Sequence, residues 1–157
     1  MSFPRLLICF CLAFPATAPL AQSTDDGRQI AHALHGCMEA AEDRPREMLA
    51  CAEQAESRWR EEVEHLTGRL DKSLGGEARD ALEASREAWM VSHEADLALV
   101  DAYHDQLIAA ELGEPAMLRL SRQLHRNALL ETRADYLRRL LEGLGTLPDP
   151  TDPSPTD

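Results

Sequence analysis

Residues 82–95 read Leu-Glu-Ala-Ser-Arg-Glu-Ala-Trp-Met-Val-Ser-His-Glu-Ala and lie near the middle of the longest helical pattern in the chain. Trp89, one of two tryptophans, stands here among alanines that let other helices approach closely. A tryptophan in such a place is expected to be enclosed by neighbouring helices and to bury roughly 150–250 Å² of surface. We therefore expect the rest of the chain to fold around Trp89.

The composition favours packed helices over a sheet. Apolar residues make up 44% of the 157 residues, but aromatic residues make up only 4%, so leucine and alanine must fill the core. β-branched residues are scarce, and no stretch alternates apolar and polar residues as a half-buried strand would. The length corresponds to one domain. We predict an all-α fold, an antiparallel bundle of about four helices.

The helix bounds follow from apolar spacing and from the prolines and glycines between the apolar segments. We expect helices over residues 27–42, 45–74 and 77–112, and a fourth from 115 to a glycine at 143 or 145. Pro45 and Pro115 stand at the first helical position, which proline favours. Gly75–Gly76 is expected to end the second helix as a left-handed cap.

The predicted core lies on the second and third helices. The second helix repeats apolar residues at heptad-like spacing, and the third carries an apolar stripe with alanines between. We expect the two tryptophans to pack across an antiparallel pair formed by these helices; their use as ligand platforms is the lesser alternative. The heptad-like positions are Met48, Ala52, Ala55, Trp59, Val63, Leu66 and Leu70, and the main core residues are Trp59, Val63, Leu82, Trp89 and Tyr103.

The two ends of the chain are expected to lie outside the folded domain. Residues 1–21 resemble a secretory signal peptide, with Arg5 as the basic residue, an apolar run and a small-residue exit ending at Ala21. Cleavage after Ala18 and a retained membrane anchor are the alternatives. The prediction is a periplasmic or secreted protein with a helical domain over 22–145. Residues 146–157, rich in proline and aspartate, are expected to form a disordered acidic tail.

The charge restricts the partners. The chain carries 28 acids against 16 Lys and Arg, a net charge of −12, and loss of Arg5 with the leader would leave 15 against 28, or −13. Non-specific nucleic-acid binding needs clustered Lys and Arg, so it is disfavoured. The charge favours a cationic protein as partner, although solubility alone would explain it equally well. No stable membrane insertion is expected once the leader is removed.

Two cysteines, Cys37 and Cys51, remain after the leader. In an exported protein such a pair is oxidised by default. Along one straight helix they would lie roughly 21 Å apart, whereas a disulfide needs Cα atoms about 4.4–6.8 Å apart. The chain must therefore reverse at Arg44–Pro45. We predict a disulfide there; the alternative is a metal site that uses Cys37 with His32 and His35.

No arrangement of residues identifies a catalytic site. The chain contains no HExxH, GxSxG or glycine-rich phosphate loop, and we expect no enzyme activity, no cofactor and no bound metal. A stripe on the third helix could bind a divalent ion or, more simply, form a solvated acidic face. We take this stripe as the candidate partner-binding face, formed by His93, Glu94, Asp96, Asp101 and His104.

A cysteine pair and three later segments follow the pattern of a known protein family. The cysteine pair lies near the mature N-terminus. The family segment W-D-x-x-L-N-x-x-Y is matched by Trp59 and Val63 in residues 59–67, and A-Q-R-x-W-I-x-Y-R-D-A-x-C by Trp89 in residues 85–97. A later R-A-x-x-L is matched at residues 133–137. Over about residues 37–137 the chain therefore resembles the lysozyme inhibitor LprI-like family of small exported bacterial proteins.

The chain departs from the family pattern at several polar positions. Leu97 stands where a cysteine is usual, and no cysteine follows residue 51, so both halves of a second disulfide are absent together. The resemblance implies a helical exported protein, with lysozyme inhibition known for a founding member. The main hypothesis is a non-enzymatic binding protein that inhibits a lysozyme through an acidic helical surface. The alternative is an envelope interaction module that dimerises through its long third helix, without inhibitory activity.

Overall fold

The computed structural model describes residues 26–145, which form four helices joined by short turns. The helices are α1 (Asp26–Ala40), α2 (Pro45–Ser73), α3 (Glu77–Ala109) and α4 (Pro115–Gly145). Within these residues there is no strand, and no helix is long and apolar enough to cross a membrane. The predicted all-α fold is confirmed. The expected leader and acidic tail lie outside the described residues.

The turn between α1 and α2 reverses the chain within four residues. Glu42 and Asp43 adopt positive φ angles of 46° and 58°. The Arg44 guanidinium donates hydrogen bonds to the carbonyl oxygens of Ala40 and Ala41, at 3.1 and 2.9 Å. These bonds satisfy carbonyls that the end of α1 leaves without a helical partner. Pro45 then begins α2 at its favoured position.

This reversal brings the two cysteines together. Cys37 and Cys51 form a disulfide with their Cα atoms 5.8 Å apart, which confirms the predicted pairing. The bond clamps α1 onto α2 and removes the Cys37 thiolate as a metal ligand, so the alternative site with His32 and His35 is excluded. On the chain-entropy model a loop of this length contributes about 3 kcal/mol.

The other two turns lie at the glycines, as expected, but the cap predicted for α2 does not form. The left-handed cap predicted at Gly75–Gly76 is wrong for α2, because α2 ends in an extended Leu74 with φ −97° and ψ 155°. The positive φ of Gly76, 53°, instead falls at the start of α3. Gly113, with φ 127°, precedes α4, where the Glu114 carboxylate accepts a hydrogen bond of 2.9 Å from the backbone N–H of Met117.

The core lies between α2 and α4, with α1 and the start of α3 closing its sides. α2 packs mainly against α4 and only marginally against α3, so the expected pairing of the second and third helices is wrong. The Asn127 amide donates to the carbonyl of Ala52 at 2.9 Å, and Arg138 lies 3.4 Å from Glu62. The residue numbers increase from the first contact to the second on both helices, so α2 and α4 run in the same direction. The core residues are Ile30, Ala55, Trp59, Val63, Leu66, Leu70, Leu82, Leu130, Ala134 and Leu137.

Trp59, rather than Trp89, is the aromatic centre of this core. Trp59 is 2% exposed, whereas Trp89 is only partly buried and packs against the edge of the cluster. Val63 and Leu82 are buried as expected, but Tyr103 is 50% exposed and is not a core residue. The reason is that α3 has a single helical partner over most of its length, so one face of α3 is covered and the rest meets solvent.

Candidate functional site

A groove lies between α2 and α3, with α4 as its floor. It exists because α3 diverges from α2 after their connecting turn while both helices remain packed on α4. Its volume is about 650 Å³, within the range of about 300–1,000 Å³ usual for ligand sites. The apolar lining consists of Val63, Leu82, Trp89, Met90 and Leu130.

Arg133 crosses from α4 into this groove between two aromatic rings. Its Cζ lies 5.3 Å from the centre of the Trp89 ring and 5.6 Å from the Tyr136 ring, distances at which a cation is attracted to a π face. The residue is only 8% exposed. Its terminal nitrogens lie 3.4 and 3.5 Å from the Ser85 hydroxyl, and its Nε has no hydrogen-bond partner within residues 26–145.

A second, smaller cavity of about 390 Å³ lies on the other side of the same side chains. Trp89, His93 and Arg133 line both cavities, and Tyr136 and Asp96 line the smaller one. The shared residues lie between the two cavities and are accessible from both of them. We call Trp89, His93, Arg133 and Tyr136 the Arg133 cluster.

His93 is held in this cluster by stacking. Its imidazole stacks on Trp89, with ring centres 4.8 Å apart and planes 18° from parallel. Burial lowers the pKa of His93, and the Arg60 guanidinium lowers this pKa further, against the opposite effect of Asp96. Burial and Arg60 therefore both favour the neutral form of the ring.

The predicted partner-binding face on α3 is not a free surface. His104 is completely buried, and Asp101 lies 3.2 Å from the Arg126 guanidinium of α4. His93 belongs to the Arg133 cluster, so only Glu94 and Asp96 of the predicted set are exposed. The helical spacing placed these side chains correctly on one side of α3, but much of that side faces α4.

His104 therefore has a structural role. Its Nδ1 lies 2.8 Å from the carbonyl of Val100, which can only accept, so Nδ1 carries the hydrogen. Nε2 lies 3.3 Å from the Ser121 hydroxyl of α4, within hydrogen-bond distance. A second ion pair, between Arg122 and Asp105, lies beside it. Together these contacts hold the C-terminal part of α3 against the N-terminal part of α4.

The matched region of the sequence coincides with this packed unit. A family profile described as lysozyme inhibitor LprI matches residues 37–137, which is more than half of the chain. The match begins at the disulfide and ends at a buried leucine of the core. The chain belongs to the lysozyme inhibitor LprI family. Comparisons with curated proteins and with solved structures found no match.

The fold explains why this member of the LprI family keeps its recognisable positions. The motif residues Trp59, Val63 and Leu137 are all buried in the α2–α4 core. Trp89 and Arg133 belong to two different motifs and are more than forty positions apart in the sequence, yet they meet in the cation–π contact. The sequence identified Arg133 only as a matched position of the family motif and suggested no role for it, because an arginine in a helix is normally exposed.

Within the described residues of this LprI-family chain, no group of three or more His, Cys, Asp or Glu side chains could hold a metal ion. The residues of the predicted stripe from His93 to His104 do not meet at one point, because several of them make the separate contacts described above. The arrangement that remains is a concave, mainly apolar groove with one buried cation. Such an arrangement can bind and orient a molecule or a segment of a partner.

Proposed function

We propose that the protein is an exported, non-enzymatic inhibitor of lysozyme-type muramidases. The observation that carries this proposal is the LprI-family match over residues 37–137, which spans the disulfide, the α2–α4 core and the Arg133 cluster. This family is described as one of lysozyme inhibitors. The folded unit, rather than an isolated motif, is what the chain shares with that family.

The charge supports a cationic partner such as a lysozyme. The chain has a net charge of −12, and Asp101 and Asp105 of α3 are already paired with α4 arginines. Asp96 is exposed at the smaller cavity of the Arg133 cluster, and Glu94 is exposed on another side of α3, two residues earlier. We place the lysozyme contact on this part of α3, because complementary charge accelerates association with a basic protein.

Titration of the purified protein into a lysozyme cell-wall lysis assay is expected to give saturable inhibition close to one to one. The apparent inhibition constant should weaken on the order of tenfold from low to physiological salt, because exposed charges are screened. Neutralising Glu94→Gln with Asp96→Asn should weaken inhibition and reduce its salt dependence. The assay measures residual lysis rate at several inhibitor and salt concentrations.

The matched control removes the same charge from a different part of the molecule. Glu42→Gln with Asp43→Asn changes two exposed acids in the α1–α2 turn. This variant should inhibit like the unmodified protein if the contact lies on α3. Equal loss in both variants would contradict the placement, and no inhibition of several lysozyme types would contradict the proposed function itself.

A second candidate function is self-association through α3, which would make the protein an envelope interaction module. The observation that favours it is the apolar exposure on this helix: Val91 is 72% exposed and Leu99 is 68% exposed. Ala95 and Ala98 lie between them and would allow two helices to approach closely. The occupant of this surface would be the same helix of a second copy.

Sedimentation velocity tests this candidate. If α3 is a dimer interface, the protein should sediment as a dimer at high micromolar concentration, and Leu99→Glu should restore the monomer. The substitution is at an exposed position, so its effect on folding should stay within about 0.5 kcal/mol. A strict monomer at all concentrations would remove this candidate.

A further inference from the structure

The feature that the proposed function leaves unexplained is the buried charge of Arg133. α4 carries several arginines, and three of them have carboxylate partners: Arg122 with Asp105, Arg126 with Asp101, and Arg138 with Glu62 and Asp135. Arg133 has no ion pair with any carboxylate of residues 26–145, although it is among the most buried of the charged residues. This is unexpected in a chain with 28 acids.

A buried guanidinium without an anion is costly. Taking a charge out of water is compensated only when hydrogen bonds or an opposite charge replace the water. The two aromatic rings supply part of this compensation through cation–π contacts. The Ser85 hydroxyl offers only long contacts of 3.4 and 3.5 Å, and Nε is left unpaired. Burial accordingly lowers the pKa of Arg133, but an arginine still remains protonated at neutral pH.

The groove gives a ligand access to this cation. Arg133 lines the cavity of about 650 Å³, so a molecule in that cavity can reach its guanidinium without passing through the core. Three other arginines line the same groove, but each already has an acid: Arg60 pairs with Glu56, Arg79 with Asp71 and Arg86 with Glu83. Arg133 is therefore the one arginine of the groove without an acid partner among the described residues, and the acids of the lining, Glu64, Asp71 and Glu83, do not pair with it.

We propose that the groove is a binding site for an apolar carboxylate, whose head group pairs with Arg133 and whose hydrocarbon body lies along the α2–α3 groove. The planar guanidinium can offer two parallel N–H donors to a carboxylate, the strongest pairing that an arginine makes. Val63, Leu82, Met90 and Leu130 form apolar walls for the body. The ring of Trp89 lies beside both parts of the ligand.

A carboxylate of this kind has two sources. One is a small free molecule such as a medium-chain fatty acid, and the other is the C-terminal carboxylate of a polypeptide that ends in apolar residues. Octanoate is the probe for the first source, with octanamide as its neutral counterpart. A short acetylated peptide ending in Leu-Leu is the probe for the second, with the same peptide amidated as its counterpart.

Calorimetric titration of the purified protein tests the site. At least one acid probe should bind about tenfold more tightly than its amide, since each amide lacks the charge that pairs with arginine. Arg133→Met should abolish this preference, while Arg119→Met, a change at an exposed arginine of the same helix that lines neither cavity, should leave it intact. Preference for octanoate assigns the site to a small molecule, and preference for the peptide acid assigns it to a chain terminus.

Two results would overturn the proposal: acid and amide probes that bind the unmodified protein equally or not at all, or an Arg133→Met variant that keeps the preference. If Arg133→Met does not fold, Arg133→Lys keeps a cation but loses the paired donors, and its preference should fall to about threefold. A merely structural Arg133 would lower stability in these variants without any acid preference in the unmodified protein. The titration contains no lysozyme, so its outcome is independent of the proposed inhibition.

Discussion

Trp59→Ala should lower the free energy of unfolding by about 3–5 kcal/mol, the range for removing a large buried aromatic side chain. Trp59 is 2% exposed and belongs to the cluster in which α2 packs on α4. Helix backbones joined by short turns cannot close the space that an indole leaves, so both burial and packing are lost. Urea denaturation followed by circular dichroism, with the disulfide intact, measures the change.

Trp89→Ala is the matched control, because it removes the same side chain from the edge of the core. Trp89 is partly buried and contacts solvent through the groove, so its loss should cost about 1–2 kcal/mol. An equal cost for both variants would contradict the placement of the aromatic centre at Trp59. A larger cost for Trp89 would reinstate the interpretation based on the sequence alone.

Arg138→Leu should destabilise the protein by about 3–5 kcal/mol, as expected when one partner of a buried ion pair is removed. Glu62 is 5% exposed, and Arg138 reaches it from α4 at 3.4 Å. The guanidinium passes directly over Gly27 of α1, where a Cβ would lie 2.2 Å from its Nη2. Without Arg138, a carboxylate remains buried near the point where three helices meet.

Two variants separate the ion pair from general effects of losing an arginine. Arg139→Leu changes the neighbouring exposed residue and should alter the free energy of unfolding by no more than about 0.5 kcal/mol. Glu62→Leu combined with Arg138→Leu removes both charges and should recover most of the loss, which a double-mutant cycle quantifies. A double variant as unstable as the single one would show that Arg138 acts through packing alone.

The helices could be predicted from the sequence because their ends are determined locally. Proline cannot continue a helix from the preceding turn, and glycine adopts the positive φ that a turn requires. Pro45, Gly76 and Pro115 therefore mark boundaries that no tertiary contact needs to specify. The disulfide followed from the same local reasoning, since two cysteines on either side of one reversal have few other arrangements.

The choice of helix partners could not be predicted in this way. α3 carries leucines and alanines in a helical stripe that resembles the stripe of α2, and spacing alone does not say which stripe is buried. The alanines of α3 offer little apolar area to a partner helix. The leucines of α4 provide a larger apolar surface, so α2 packs on α4 rather than on α3. Trp89 and Tyr103 were expected in the core for this reason, yet α3 leaves them at its edge.

The candidate site depends on contacts between distant segments, so its residues could not be recognised individually. Arg133 is a binding candidate only because Trp89 and Tyr136 enclose it and no carboxylate of the described part of the chain pairs with it. His104 gave the opposite outcome: a histidine beside aspartates indicated a charged surface, but α4 covers it. In both cases the neighbours from another helix decide the chemistry of the residue.

The partnership of α2 with α4 also sets the order in which the molecule can be completed. When the chain enters an oxidising compartment with its N-terminus first, the α1–α2 hairpin can form and close its Cys37–Cys51 link early, because the two cysteines are only 14 residues apart. The apolar face of α2 then stays uncovered until α4, the fourth of the described helices, has followed. A newly emerged chain therefore passes through a stage with an oxidised hairpin and an unprotected Trp59, when aggregation or capture by a chaperone is most favoured.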